Sequence, residues 1–456
     1  MKRTLWKFSA LIAVISLITV FIVSCDSDPG IPEYEGLFNA GSGSGVLFDI
    51  RSPYQNVNWD TYGQFKAANH VHTLNSDGSS TMEQQLMAHY NLDYDIITIT
   101  DHVWRDRRGE DPEGAPARPY LNLVTKSVTQ STWAFGGYTM NLTHISQARK
   151  LQFETGTIPA GETTRTVDRG MLIIPGTAEL APGGDPTPDE VNVFFWPDDV
   201  LAPNAWAVQL RAGIQRVHNA EAVGFINHPG RSTHAMSFPV GAANAVDPEN
   251  PSNQGRWIRR YANLMMEFPI DNITGLEIFN RRDVDSRHDR VLWDNVNKLT
   301  IPEGRFVWGY GNDDLHSHSV SATGNGLHIN YNVFVMPENS YENFRYALVN
   351  GHSYIVTVAA FNEGVNQPST SAASARPAIS QIIFDKNADT IAIIARNATR
   401  VVWISDGVEI LTTTGTNSFI DLADPDIIDN VGSFVRANII GPAGMAVTQP
   451  ISTRRK

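Results

Sequence analysis

Short apolar runs that end at a histidine or a carboxylate recur along this chain, and they constrain its fold more than any other feature. The clusters in chain order are NHVH (69–72), SDG (76–78), TDH (100–102), GTAE (176–179), INHP (226–229), GLEIFN (275–280) and NDDLHSH (312–318). Runs such as IITIT and MLII are typical of strands buried on both faces of a parallel sheet. In a closed parallel barrel, the C-terminal strand ends meet at one mouth. The pattern therefore predicts an α/β protein whose polar side chains gather there.

Composition sets the broad class. The chain has 456 residues, of which 42% are hydrophobic and 18% charged, as is ordinary for a soluble globular protein. The length predicts two or three domains, one of which can be barrel-sized. The formal net charge of -13, from 35 Lys and Arg against 48 Asp and Glu, argues against tight binding of long nucleic acid.

The N-terminus has the features of an export signal. A basic start (MKRTLWK) precedes an apolar stretch that ends in IVSC, and Cys25 is the single cysteine of the chain. This resembles a bacterial lipoprotein signal, so we predict a signal peptide over 1–24, lipidation of Cys25 and a lipid-anchored protein of the cell envelope. An uncleaved anchor helix is the alternative, but the apolar stretch is shorter than the roughly 20 residues that span a bilayer.

Changes in composition and residue pattern along the chain predict its domain organisation. Residues 25–45 are rich in Gly, Ser and Pro and predict a flexible tether. Over 46–374, strand-like runs alternate with helical patterns such as 80–94 and 198–222, which favours an α/β barrel. Residues 105–165 interrupt this alternation. They form either a lid over the site or an insertion on the surface. Over 375–456, short β-type runs alternate with turns and predict a small β-sandwich.

The first cluster has the chemistry of a metal site. His70 and His72 are two apart on a predicted strand, so both side chains point to the same face. Asp77 follows on the next loop, and imidazole together with carboxylate suits a divalent cation. We therefore predict a metal site that these residues begin.

The clusters, taken together, resemble a known family. HVHTLNSDG followed by ITDH, and then GTAE, INHP, GLEIFN and NDDLH in that order, resemble the PHP (polymerase and histidinol phosphatase) superfamily of metal-dependent phosphoesterases. The resemblance spans about 65–355. The lipoprotein signal and the trailing β-type region are most similar to its carbaryl-hydrolase-like branch. The resemblance implies a distorted (β/α)7 barrel, followed here by the β-sandwich, and a centre of two or three metals.

The resemblance also implies ligand sets, which we carry over to this numbering. His70, His72 and Asp314 would hold a first metal, with Glu179 bridging to a neighbour. Asp77, His102 and His316 would hold a second metal, and His228 with Glu179 a third. Where related chains have a further histidine, this chain has Glu190, which is either a ligand of the third metal or a solvated loop acid.

Other residues are candidates for supporting or catalytic roles. Arg231, just after His228, would bind an anionic oxygen of the substrate or form a surface salt bridge. His234 and His318 would donate protons at the rim. Asp101 is expected either to orient His102 or to shape a turn, Glu277 to support the ligands, and Asp313 to point away from the site.

The expected function follows from this centre. The resemblance implies that two or three divalent ions (Zn, Mn or Fe) share a hydroxide, which attacks a phosphate monoester or diester. Hydrolysis of a carboxylic or carbamate ester is the alternative reaction. A further alternative is a surface binding lipoprotein without activity. A small phosphorylated or ester substrate is expected, and the oligomeric state stays open.

Overall fold

The computed structural model covers the whole chain and describes most of it. The described residues are 47–102, 132–135, 138–141, 144–180, 190–197, 210–229, 253–281, 286–319, 326–360, 363–368, 370 and 372–456. The predicted signal peptide, Cys25 and the tether lie outside these residues, as do Arg231 and His234. No helix in the described ranges is long and apolar enough to cross a membrane.

Helices and strands alternate in the first two thirds of the chain, and strands dominate the last third. The α-helices are α1 (Met82–Tyr90), α2 (Gln147–Thr155), α3 (Leu210–Asn219), α4 (Asn253–Glu267), α5 (Ser286–Thr300) and α6 (Tyr341–Asn350). Strands in the first part are β1 (Phe48–Arg51), β2 (Gly63–Ala68), β3 (Ile96–Ile97), β4 (Thr132–Phe135), β5 (Tyr138–Asn141), β6 (Leu172–Ile173), β7 (Ala178–Leu180), β8 (Glu190–Phe194), β9 (Val223–Asn227), β10 (Ile273–Asn280), β11 (Trp308–Asn312), β12 (Asn330–Met336), β13 (Ser353–Thr357), β14 (Ala359–Ala360) and β15 (Val365–Asn366). The strands that follow are β16 (Ala378–Asp385), β17 (Thr390–Arg396), β18 (Arg400–Ser405), β19 (Val408–Thr414), β20 (Asn417–Asp421), β21 (Phe434–Gly441), β22 (Gly444–Thr448) and β23 (Ile451–Arg455).

Two sheets carry the polar clusters. One sheet runs in the order β1-β23-β21-β22-β13-β12-β2-β3-β6, and within it β2, β3 and β6 are parallel. The other runs β11-β10-β9-β8-β7, in which β9, β10 and β11 are parallel. Isolated parallel bridges between Val71 and Leu315, and between His102 and Glu179, join the two sheets where the clusters lie. The strand ends are thereby brought to one place.

The α/β class predicted from the sequence is confirmed, with one departure from an all-parallel barrel. Strand β8 runs antiparallel to both β7 and β9. Only nine residues (181–189) separate β7 from β8, which is fewer than the dozen or so that a parallel crossover needs. The (β/α)7 arrangement therefore stays a prediction.

The strand-rich region after residue 375 is continuous with the first part of the fold. Strand β22 pairs antiparallel with β13, with Tyr354 opposite Thr448, and β23 pairs with β1. Strands β16, β17 and β20 form a separate three-stranded sheet. One hydrophobic core holds Val71 and Ile97 of the first part together with Trp403 and Ile439 of the last. The boundary at 374/375 stays a prediction, but backbone hydrogen bonds and a shared core cross it.

The helix predicted over 80–94 forms as α1, and its local sequence explains where it begins. The Thr81 side chain accepts from the Gln84 N–H, while the Gln84 side chain accepts from the Thr81 N–H, which satisfies donors that the first turn leaves free. Met82, Leu86 and Tyr90 form the buried face. Helix α3 lies within the second predicted helical segment, whose residues 198–209 lie outside the described part.

The end of the predicted insertion at 105–165 packs against the body of the protein. Helix α2 begins after Ser146, whose side chain accepts from the Arg149 N–H. Phe153 is fully buried and meets the Tyr90 ring edge-on at 5.4 Å. Arg149 Nε donates to Glu83 at 2.7 Å. The described part from 144 is thus anchored on α1, while 103–131, 136–137 and 142–143 lie outside the described residues, so the lid and the surface insertion both stay open.

Candidate metal centre

The predicted ligands converge because each lies at or just beyond a strand end at the joined edges of the two sheets. His70 and His72 follow β2, and the bridge of Val71 to Leu315 turns both imidazoles to the same side. His102 follows β3, and its backbone bridges to Glu179 in β7. The others are Asp77 in the loop after His72, Glu190 at the start of β8, His228 after β9, and Asp314 and His316 after β11.

Glu179 lies at the centre of the cluster and is fully buried. Its Oε1 is 3.2 Å from His70 Nε2 and 3.7 Å from His228 Nε2. Its Oε2 is 3.2 Å from His72 Nε2 and 3.2 Å from His102 Nδ1. One carboxylate therefore faces four imidazoles, which fits the bridging position that the resemblance implies.

Asp314 and Asp77 face the outer imidazoles. Asp314 Oδ1 lies 3.4 Å from His70 Nε2 and 3.2 Å from His72 Nε2. Asp77 Oδ2 lies 3.4 Å from His102 Nε2 and 3.2 Å from His316 Nε2. Each of these two carboxylates therefore faces two imidazole nitrogens.

Glu190 lies at the cluster rather than in a solvated loop. Its Oε2 is 3.2 Å from His228 Nε2, and its Oε1 is 3.8 Å from His102 Nδ1. It is buried at the start of β8, where it pairs in register with Asn227. Glu190 is therefore not solvated, and its role as a ligand of a third metal stays a prediction.

The donor atoms form four overlapping groups, in each of which all ligand atoms lie within 4.8 Å of one another. The groups are His70–His72–Asp314, His70–Glu179–His228, His72–His102–Glu179 and His72–Asp77–His316. The first group coincides with the first predicted ligand set. The second predicted set is divided, because Asp77 and His316 group with His72, whereas His102 groups with Glu179.

The chemistry of the donor set fits divalent cations. Nε2 of His70, Nε2 of His72 and Oε2 of Glu179 are buried, and none has a hydrogen-bond partner within the described part of the chain. Buried polar atoms are rarely left without a partner, and a cation is a common explanation. Mixed imidazole and carboxylate ligands suit Zn, Mn and Fe alike.

The cluster shifts the pKa values of its own members. Burial lowers the pKa of His102, but the carboxylates of Glu179 and Glu190 outweigh it and raise this pKa to about 9. Burial raises the pKa of Glu179, yet His70 and His102 bring it well below its usual range. For Asp77, burial again raises the pKa, and hydrogen bonds from His102 and His316 lower it overall. The carboxylates of Glu179 and Asp77 are therefore ionised, and cations that bind here would displace protons from the imidazoles.

Three further acids lie near the ligands in sequence, and two of them contact a ligand or the loop that carries one. Glu277 accepts from His70 Nδ1 at 3.1 Å and from the His228 N–H at 2.9 Å, as expected of a supporting carboxylate. Asp101 accepts from the Thr73 N–H and hydroxyl, both at 2.6 Å, and so holds the loop that leads to Asp77. Asp313 accepts from the backbone N–H groups of 328–330, away from the cluster, as predicted for a neighbour of Asp314.

Two residues at the cluster were missed by the sequence reasoning. Asn227 Nδ2 donates a hydrogen bond to Glu179 Oε1. Arg281 Nη2 lies 2.8 Å from Asp314 Oδ2. Asn227 directly precedes His228 in INHP, and Arg281 directly follows the GLEIFN stretch, and that adjacency was the available signal.

The predicted catalytic residues are not gathered at the cluster by the described part of the structure. His318 is exposed, and its Nδ1 lies 2.7 Å from the Ser80 hydroxyl. Arg231 and His234 fall within 230–252, outside the described residues. The roles of all three stay predictions.

Comparisons with known proteins add structural likeness at low similarity. No family model matches the chain, and no curated protein matches it. The crystal structure of a two-domain protein containing a predicted PHP-like metal-dependent phosphoesterase from Bacteroides vulgatus matches over 91% of this chain and 92% of its own, at 13% identity and a TM-score of 0.40. The crystal structure of PsfC from Pseudomonas syringae matches over 65% of this chain and 93% of its own, at 13% identity and a TM-score of 0.36. At TM-scores this low, neither likeness assigns a family or an activity.

Proposed function

We propose that this protein is a metal-dependent hydrolase of small phosphate esters, built on a distorted PHP-type barrel. The observation that carries the proposal is the position of Glu179, which faces four imidazoles within a buried cluster. A single ion accepts few ligands, whereas four overlapping groups offer nine donors, counting Glu190. The arrangement therefore supports two or three cations that share Glu179.

The residues that would hold the cations are those of the four groups. Bound divalent cations would lower the pKa of water and neutralise charge that develops on phosphoryl oxygens. Other residues of the chain hold these ligands in position. Glu277 orients His70, and Asp101 holds the loop that presents Asp77. Because these supports are buried, the ligand atoms are set before a substrate arrives.

The open side of the cluster indicates where a substrate approaches. The side chains of His70, His72, Glu179 and Asp314 are at most 2% exposed, whereas Asp77 and His316 are 28% and 30% exposed. A small ester can therefore reach the centre past Asp77 and His316. His318, predicted as a rim proton donor, follows two residues after His316 and remains a proposal in that role.

The location of the protein is also proposed, and it is supported by the sequence alone. Cys25 follows an apolar stretch in the pattern of a bacterial lipoprotein signal. A Cys25→Ser variant should lose the lipid and leave the membrane fraction. Retention of that variant in the membrane fraction would favour an uncleaved anchor instead.

The proposed activity is tested on the purified full-length protein in detergent. Metals are counted by elemental analysis, and nitrophenyl phosphate monoesters, phosphodiesters and carboxylic esters are assayed in parallel. A His70→Ala, His72→Ala variant removes donors from all four groups, and His144→Ala, an exposed histidine outside the cluster, is the matched control.

Two or more metals per chain, with phosphoester cleavage that the double variant lacks and the control keeps, would support the proposal. Cleavage of carboxylic esters alone would replace it with the carboxyl-ester activity. Absence of both metal and turnover, after reconstitution with Mn or Zn, would leave a binding protein as the better account.

A further inference from the structure

Arg281 is fixed at the edge of the cluster by an unusual backbone conformation. It directly follows β10 and has a φ of 49°, in the left-handed region that non-glycine residues seldom adopt. Its N–H donates to the Asn312 carbonyl at 3.1 Å, and its carbonyl accepts from Asn330 Nδ2 at 2.9 Å. Such strain persists only where the surroundings hold it, and it concentrates at functional sites.

Within the described part of the chain, only some of the N–H donors of the Arg281 guanidinium have a partner. Its Nη2 forms an ion pair with Asp314 Oδ2 at 2.8 Å. Its Nε is buried and has no hydrogen-bond partner among the described residues. Arginine carries five N–H donors in a planar fork, so donors remain for a further acceptor.

The contact of Arg281 with His316 cannot use those donors. His316 Nδ1 lies 2.8 Å from the backbone carbonyl of Asp314, and because a carbonyl only accepts, Nδ1 carries the hydrogen. Arg281 Nη2 is 3.0 Å from that same Nδ1. Two donors therefore face each other, so this contact is not a hydrogen bond, and it does not occupy the Nη2 hydrogens of Arg281.

Arg281 is also on the open side of the cluster. Its side chain is 21% exposed, next to His316 and beyond the buried Asp314. An anion that enters past His316 meets this guanidinium before it reaches the inner ligands. No other arginine or lysine among the described residues forms an ion pair with a member of the four groups.

We infer that Arg281 binds an anionic oxygen of the substrate and makes the site selective for esters that carry a phosphoryl charge. The inference rests on the proposed function and deepens it. The rival role is a positioning one, in which Arg281 only holds Asp314 in place for a cation. The two roles predict different effects of an Arg281 substitution on the metal content and on the turnover of neutral substrates.

The test uses the metal-loaded full-length protein and three variants. Arg281→Gln removes the charge, Arg281→Lys keeps it without the fork, and Arg345→Gln alters a partly exposed arginine far from the cluster as the matched control. Four quantities are measured: metal content, the dissociation constant of orthophosphate by calorimetry, and KM and kcat for a phosphodiester and for a neutral carboxylic ester.

We expect Arg281→Gln to keep its metal and to raise the orthophosphate dissociation constant and the phosphodiester KM roughly ten- to a hundredfold, the loss typical of one charge-assisted hydrogen bond. Arg281→Lys should recover part of this loss. The control Arg345→Gln should keep the wild-type values of all these quantities.

The contrary outcomes separate the two proposals. Equal phosphate binding in wild type and Arg281→Gln, with phosphodiester cleavage intact, overturns the inference and leaves the function standing. Loss of metal with equal losses on both substrates assigns Arg281 the positioning role. Phosphate binding that needs Arg281, without phosphoester cleavage, overturns the function and the ester selectivity, and keeps only the anion-binding role of Arg281. A wild type that neither binds phosphate nor cleaves phosphoesters overturns both.

Discussion

Glu277 Oε1 lies 3.1 Å from Nδ1 of His70, on the side of the imidazole opposite Glu179. This contact fixes a hydrogen on Nδ1 and turns Nε2 toward the cluster. The two oxygens of Glu277 also accept from Asn312 Nδ2 at 2.9 Å and from Asn280 Nδ2 at 2.8 Å. With the His228 N–H, four donors converge on one buried carboxylate.

Replacement of Glu277 by glutamine should weaken metal binding without removing a ligand. The amide NH2 would face two donors whichever way it turns, so His70 or His228 would lose its orientation. We expect metal affinity to fall about ten- to a hundredfold, as measured by competition with a chelator. Glu338→Gln, at an exposed glutamate, is the control. Unchanged affinity in Glu277→Gln would show that Glu277 only fills space.

Replacement of His72 by alanine should lower the metal content of the protein more than replacement of His228. His72 belongs to three of the four donor groups, whereas His228 belongs to one. We expect His72→Ala to lose most of its metal and His228→Ala to lose at most one ion per chain, by elemental analysis after dialysis. Equal losses in the two variants would contradict the shared role assigned to His72.

Stability should decline in mild acid because of a histidine outside the cluster. Burial lowers the pKa of His89 to about 4, from a usual value of 6.5. Since the folded pKa is depressed, this contribution to stability is fully present above pH 6.5 and is lost as the pH falls toward 4. The loss amounts to about 3 kcal/mol.

Urea unfolding of the wild type and of His89→Gln, between pH 7 and pH 4.5, measures this loss. The glutamine does not titrate, so the variant should lose less stability over the interval. His144→Gln, at an exposed position, should follow the wild type. Parallel curves for wild type and His89→Gln would rule out His89 as the source.

The strand-rich region should unfold together with the first part of the chain. Arg436 on β21 makes two hydrogen bonds of 2.7 Å to Asp294 on α5, and both side chains are buried. Arg436→Met leaves Asp294 as an unpaired buried charge, at a cost of roughly 3–5 kcal/mol. We expect a single urea transition that shifts to lower concentration. The exposed pair of Arg51 and Asp49 supplies the control, Arg51→Met. A second, unshifted transition would instead show two independent units.

Much of the candidate site was predictable from the sequence because its ligands occupy recognisable positions. His70, His102 and His228 each follow a short apolar run, and buried strands end where polar residues begin. Glu190 was left open, since a carboxylate in a polar segment resembles any loop acid. Its burial opposite His228 depends on the β8–β9 register, which no local pattern specifies.

The amino-acid order by itself determined which side chains end the strands, where α1 begins, and that donors of metal-ligating type recur, because these depend on periodicity and on capping by neighbours such as Thr81 and Gln84. Only the tertiary structure decided that β8 runs antiparallel, that β22 joins β13, and that Arg281 lies beside Asp314. Those relations join residues far apart in the chain. They are set by how two sheets pack and by a backbone turn at Arg281, and neither leaves a trace in local sequence.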